Sequence, residues 1–158
     1  MAVRISKRKV NIEGKTERYN QYLEAWERIK EASKKGFYLE AITIQESIMN
    51  DRLISHLKGI KEEFLDDKGK QIKKPRFGLL IGRAKLKYPT EKLFRDMEAW
   101  SQQRNKAIHR IVRIGVVSID DFLEEAKACA ENGEKLAREV SRWHSKQKPK
   151  LKKNPLAP

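Results

Sequence analysis

The chain has 158 residues, enough for one domain with a modest core, and its 36 Lys and Arg against 22 Asp and Glu give a formal charge of +14. A field of that sign attracts polyanions, nucleic acid ahead of an anionic membrane. No run approaches the roughly 18 apolar residues of a spanning helix, and the leading MAVRISKRKVNIEG lacks the apolar stretch of a secretory signal, so a cytoplasmic protein with no membrane partner is expected.

Residues 1–15 read as a basic lead. Residues 16–145 read as one helical domain, because the apolar residues recur at three- and four-residue spacing and no window alternates as a half-buried strand does. The first helix is expected from about Thr16 to Lys35, with Tyr19, Tyr22, Leu23, Trp26, Ile29 and Ala32 on its apolar stripe and Gly36 as its C′ residue. A second, from about Phe37 to Ile60, carries apolar residues over a wide arc (Ala41, Ile44, Ile48, Met49, Leu53, Ile54, Leu57), which predicts a central helix touched on several sides.

A basic loop, 66–88, is inserted next. Asp66, Asp67 and Gly69 mark a turn, Pro75 and Gly82 interrupt the rest of the segment, and a short helix is expected around Phe77 to Leu86. Between Lys68 and Lys87 stand eight basic residues and no acidic one. Lys68, Lys70, Lys73, Lys74 and Arg76 lead as candidate phosphate contacts, against the plain reading of a solvated connector. The fourth helix runs from Pro89-Thr90, with Thr90 as N-cap, through Leu93, Met97, Trp100, Ala107, Ile108 and Ile111 to about Ile114, where Gly115 stops it. Ser118-x-x-Asp121 opens a last long helix with Phe122, Leu123, Ala126, Ala130, Leu136, Val140 and Trp143, and Gly133 as its weak point. Cys129, the only cysteine, reads as a small core filler; it permits no intrachain disulfide and no cysteine metal site. The tail 146–158, with five lysines and three prolines, is expected to be disordered when unbound. The fold class is all-α, an antiparallel bundle of four to five helices.

One stretch of the fourth helix concentrates chemistry: Trp100-Ser-Gln-Gln-Arg104-Asn105-Lys-Ala-Ile-His109-Arg110. At about 100° per residue Arg104 falls about 40° from Trp100, inside the apolar arc. A guanidinium there must meet a carboxylate, a polar cavity or a ligand, and Glu40, Glu46 and Asp51 on the second helix are candidates the spacing does not choose among. His109 lies about 140° further round and roughly 7.5 Å along the axis, on the polar arc with Asn105 and Arg113. The two do not share a face, so a joint site needs a kink, long side chains or a twofold dimer, of which the dimer is favoured. Taken alone, His109 is an ordinary surface residue, Arg104 a structural bridge and Asn105 surface decoration; His56 and His144 sit in no motif and read as core or surface. No H-E-x-x-H or similar ligand spacing appears, and no metal or cofactor is expected.

Arg104-Asn105-x-x-x-His109 on a late amphipathic helix resembles the R-x(4-6)-H motif of the HEPN superfamily (higher eukaryotes and prokaryotes nucleotide-binding domains), including the polar residue after the arginine. The resemblance covers about 16–143 in helix order, with the Phe37–Leu57 helix in the place of the family's central helix. It implies an HEPN-like bundle, a homodimer, and metal-independent endoribonuclease activity of the toxin-antitoxin or phage-defence kind, with RNA as substrate and an antitoxin or other defence-system protein as partner. One toxin subfamily carries, two positions after the histidine, a tyrosine that its antitoxin adenylylates; here that position is Ile111, so that regulation is not implied.

Such a site needs no metal. A histidine of ordinary pKa near 6.5 serves as general base toward the ribose 2′-OH or general acid toward the leaving 5′-oxygen. An arginine holds the phosphorane-like transition state with a planar fork, and Asn105 orients the histidine or donates to the phosphate. The products would be 2′,3′-cyclic phosphate and 5′-hydroxyl ends, and DNA, lacking the nucleophile, would be spared. Arg110 and Arg113 would add phosphate contacts. Two other readings share the charge and fold: a silent HEPN-like module that binds RNA or a protein, and a basic helical DNA-binding protein, the latter weakened by the lack of a helix-turn-helix pair with a recognition helix.

Overall fold

A computed structural model describes residues 15–110 and 118–153. These residues form five helices and no strand: α1 (Lys15–Lys35), α2 (Tyr38–Gly59), α3 (Phe77–Lys87), α4 (Lys92–Arg110) and α5 (Ile119–Lys153). The lead up to residue 14, the stretch 111–117 with Ile111 and Arg113, and residues 154–158 lie outside the described residues, as does the expected stop at Gly115.

The first turn forms as its glycine requires. Gly36 takes φ +79, and the N–H groups of Phe37 and Gly36 donate to the carbonyls of Ala32 and Ser33 (2.8 and 3.3 Å), the paired closure of a Schellman C-cap. The chain reverses there, so α1 lies antiparallel on α2, clasped at the far end by Arg18 and Tyr22, which both donate to Asp51. Only part of the expected α1 stripe packs: Ile29 and Ala32 are buried, whereas Tyr19 and Leu23 are exposed, because α1 meets little besides α2.

α2 is the central helix, in contact with each of the other four, and α2 with α5 is the most extensive pair. These two run parallel: Gln45 meets Ala130, His56 meets Trp143, and Gly59 meets Leu151. α4 runs antiparallel to α5, as Trp100 Nε1–H donating to the Cys129 carbonyl (2.9 Å) and Phe94 against Trp143 (ring centroids 5.1 Å) fix. Phe94 is fully buried, a core residue that the expected stripe of Leu93, Met97 and Trp100 passes over. α4 begins at Lys92, so Thr90 belongs to the preceding turn and does not cap it. Ser118 does cap α5: its Oγ accepts from the Asp121 N–H at 3.1 Å.

The basic loop is more than a connector. Phe64 and Pro75 are buried, Leu65 and Gln71 form a bridge, and Asp66 Oδ1 accepts from the N–H groups of Lys68 and Lys70 (2.9 and 2.8 Å) around Gly69 at φ +74. The short helix after it, α3, starts at the expected Phe77. The tail departs from expectation: α5 continues through Lys153 with Pro149 inside it. The reason is Leu151, whose Cδ1 lies 3.1 Å from where a Cβ on Gly59 would stand, so the leucine seats on bare backbone at the end of α2.

Candidate functional site

The placement of Arg104 follows from its half-apolar register. Its guanidinium turns toward α2 and donates through Nη2 to Glu46 Oε1, while Nη1 donates to Asn105 Oδ1 at 2.6 Å. The two charged side chains are 19% and 22% exposed, open enough for solvent at one edge. Glu46 is thus the one of the three candidate carboxylates that meets Arg104. Glu40 is exposed, and Asp51 is engaged by Arg18 and Tyr22, whose hydrogen bonds outweigh burial and hold its carboxyl below the usual range.

His109 stands on the exposed face of α4, as its angular offset from Arg104 predicts, and the two do not meet within one chain. Its neighbour Arg110, expected to touch phosphate, pairs with Glu125 of α5. Lys68, Lys70, Lys73, Lys74 and Arg76 are all exposed. Their loop is tied to α4 by Phe77, whose ring stands edge-on to Trp100 (centroids 6.0 Å), one helical turn from Arg104. The geometry therefore gathers one anchored guanidinium with its carboxylate and amide, an exposed imidazole on the next turns, and a basic loop opening beside the same helix.

Two buried histidines are core residues. His56 and His144 are 1% and 2% exposed, and burial pushes both down to about 4, which keeps them neutral. His56 Nε2 lies 2.7 Å from the Tyr88 hydroxyl and its ring meets Trp143 edge-on at 4.5 Å. Arg52, Lys148 and His56 further disfavour a proton on His144. The sequence signal for His56 is its place between Leu53 and Leu57 on the apolar arc of α2. A second cluster joins α1 to α2: Arg52 lies over the Tyr22 ring, 3.8 Å from its centroid, beside the Arg18–Asp51 pair. It clasps the helices and brings no further reactive group.

Cys129 is fully buried and its thiol is pushed up to about 11 by burial, so it packs and does not react. Among the described residues no three metal-ligating side chains gather, and no described helix is long and apolar enough to cross a membrane. No family model, characterised sequence or solved structure matches the chain.

Proposed function

We propose that this chain binds RNA and cleaves it without a metal, at a site assembled from two protomers around Arg104 and His109, as HEPN-type ribonucleases do. The observation that carries the reading is the state of Arg104: a guanidinium fixed by Glu46 and Asn105, yet one-fifth exposed, on the same helix as an exposed imidazole. A fixed fork can receive a phosphate without first being ordered, which lowers the entropic cost of binding the transition state. Because His109 faces away from Arg104, the acid–base group beside each guanidinium comes from the second protomer. The 2′-OH is the nucleophile, and the products carry 2′,3′-cyclic phosphate and 5′-hydroxyl ends. The loop Lys68–Arg76 and Arg110 contribute phosphate contacts; an antitoxin-like or other defence protein is the regulatory partner implied by the resemblance.

A second reading, a silent RNA- or protein-binding module, is favoured by one observation: Arg104 already has a carboxylate partner, as a purely structural bridge would. Cleavage of total cellular RNA by the purified protein in excess EDTA separates the two. Cyclic-phosphate ends that disappear in His109→Ala establish the ribonuclease; equal cleavage by both proteins, or binding with no cleavage, establishes the silent module.

A further inference from the structure

Helix direction decides where the surplus charge collects. α1 and α4 start, and α2, α3 and α5 end, at one end of the bundle, as the pairs Arg18–Asp51, Tyr88–His56, Phe94–Trp143 and Gly59–Leu151 show. At the opposite end Glu40, Glu46, Asp120, Asp121, Glu124 and Glu125 offset the lysines and arginines around them. At the first end Asp51, Glu62 and Asp96 are taken by Arg18, Arg83, Lys87 and Lys92, none of them on α5, and Glu17, Glu63 and Glu91 stand exposed beside a larger number of cations. From Arg142 to Lys153 there are six basic residues and no acidic one, all exposed, and the exposed Lys58 and Lys61 join them from the end of α2.

Leu151 makes this a surface. Seated on Gly59, it holds the last turns of α5 over the end of α2, so that lysines from two distant parts of the chain share one face. Helix dipoles explain part of the pattern, since cations stabilise the last turn of a helix. That effect accounts for Lys58, Lys150, Lys152 and Lys153; it does not reach Arg142 and Lys146, two to three turns back from the end of α5. Nor do Lys58, Lys61, Arg142, Lys146 or Lys150 pair with a carboxylate among the described residues. A membrane surface would call for apolar side chains to insert between the lysines; in the segments that supply these cations Trp143 is buried and Leu151 is spent on Gly59, and Leu86, a large apolar side chain exposed nearby, belongs to α3.

We propose that this end of the bundle, built by Lys58, Lys61, Arg142, Lys146 and Lys150, is the main anchor for the RNA phosphate backbone. It stands apart from His109: Arg110 pairs with Glu125, and along α5 Arg142 and Lys150 lie about 25 and 38 Å from Glu125 at 1.5 Å per residue. An RNA that reaches both places therefore spans on the order of 25–38 Å. The inference rests on the RNA-binding half of the proposed function and is independent of cleavage.

The test is fluorescence anisotropy with a 2′-O-methyl RNA hairpin about two duplex turns long, titrated over a salt series. The blocked 2′-oxygen prevents cleavage, so a catalytically dead protein gives the same readout, and failure of the ribonuclease reading appears separately in the product ends. Two full-length variants lose equal charge: Lys58→Gln/Lys61→Gln/Lys146→Gln/Lys150→Gln at the bundle end, and Lys68→Gln/Lys70→Gln/Lys73→Gln/Lys74→Gln in the loop. All eight side chains are exposed, and circular dichroism checks that both variants fold. The bundle-end variant is expected to bind at least about a hundredfold more weakly at physiological salt, with a log–log salt slope shallower by about three, and the loop variant less than about tenfold more weakly. Equal losses, a larger loss in the loop variant, no loss in either, or capture by phosphatidylserine vesicles without RNA binding would each overturn the assignment.

Discussion

Arg104 of α4 and Glu46 of α2 form an ion pair across the bundle that is neither buried nor free, at 19% and 22% exposure. Removing one partner strands the other in a half-desolvated place. Arg104→Ala is expected to lower folding stability by about 1–3 kcal/mol in urea unfolding, whereas Arg104→Lys keeps a cation near Glu46 and costs less than about 1 kcal/mol. On the proposed ribonuclease reading, cyclic-phosphate formation is expected to fall at least tenfold in both, because neither a methyl group nor an ammonium offers a planar fork to a phosphate. A lysine variant that cleaves as well as the natural protein would remove the guanidinium from the mechanism.

Gly133 is tolerated in the middle of α5 because a side chain there has nowhere to go. A Cβ would lie 2.1 Å from Gln45 Oε1 and 2.8 Å from the Trp100 ring, and Gln45 is itself pinned by its Nε2–H donating to the Ala130 carbonyl at 2.8 Å. Gly133→Ala is expected to destabilise by about 1–3 kcal/mol despite the better helix propensity of alanine. Combined with Gln45→Ala, which removes the shorter contact and leaves the Trp100 ring, its additional cost should shrink in a thermodynamic cycle; strict additivity would refute the Gln45 contact.

The neutral histidines make the fold acid-sensitive. In the unfolded chain His56 and His144 take up protons near pH 6.5, and in the folded chain only near 4, so below 6.5 the unfolded state binds more protons and stability falls. Each histidine should withdraw on the order of 1–3 kcal/mol between pH 6.5 and 4, all of it present again above 7. Urea midpoints measured at pH 7.5 and 5 report the drop, and His56→Gln/His144→Gln should flatten it. An unchanged slope in that variant would assign the acid sensitivity to carboxylates.

Cys129 offers a direct probe of opening. Its thiol is fully buried and pushed up to about 11, so a disulfide reagent at pH 8 should label it only through unfolding, at a rate that rises with urea as global unfolding does. Rapid labelling of native protein would show that α5 separates from α4 locally.

Helix positions were legible in the sequence because each helix carries its own periodicity and stop: Gly36 and the Ser118 cap stand where the pattern places them. The angular argument also separated Arg104 from His109 and required a carboxylate, a polar cavity or a ligand for the arginine, but selecting Glu46 over Glu40, Asp51, a cavity or a ligand depends on the crossing of α2 and α4, which no local pattern encodes. The same limit hid Phe94, whose burial comes from Trp143 far along the chain, and the helical tail, which depends on one leucine meeting Gly59. Lysines and prolines dominate that segment's composition, and the decisive residue is a large apolar one among them.

The parallel pairing of α2 with α5 has a consequence for synthesis. α2 is complete at Gly59, but the helix that covers most of it ends at Lys153. At a ribosomal pace of about 5–20 residues per second, the face of α2 that meets α5 waits about 5–20 s for that partner, with α1, α3 and α4 covering the rest of the helix. The nascent chain is thus most exposed to aggregation and to chaperone capture late in translation, and a truncated product lacking α5 should be insoluble however well its first four helices are formed.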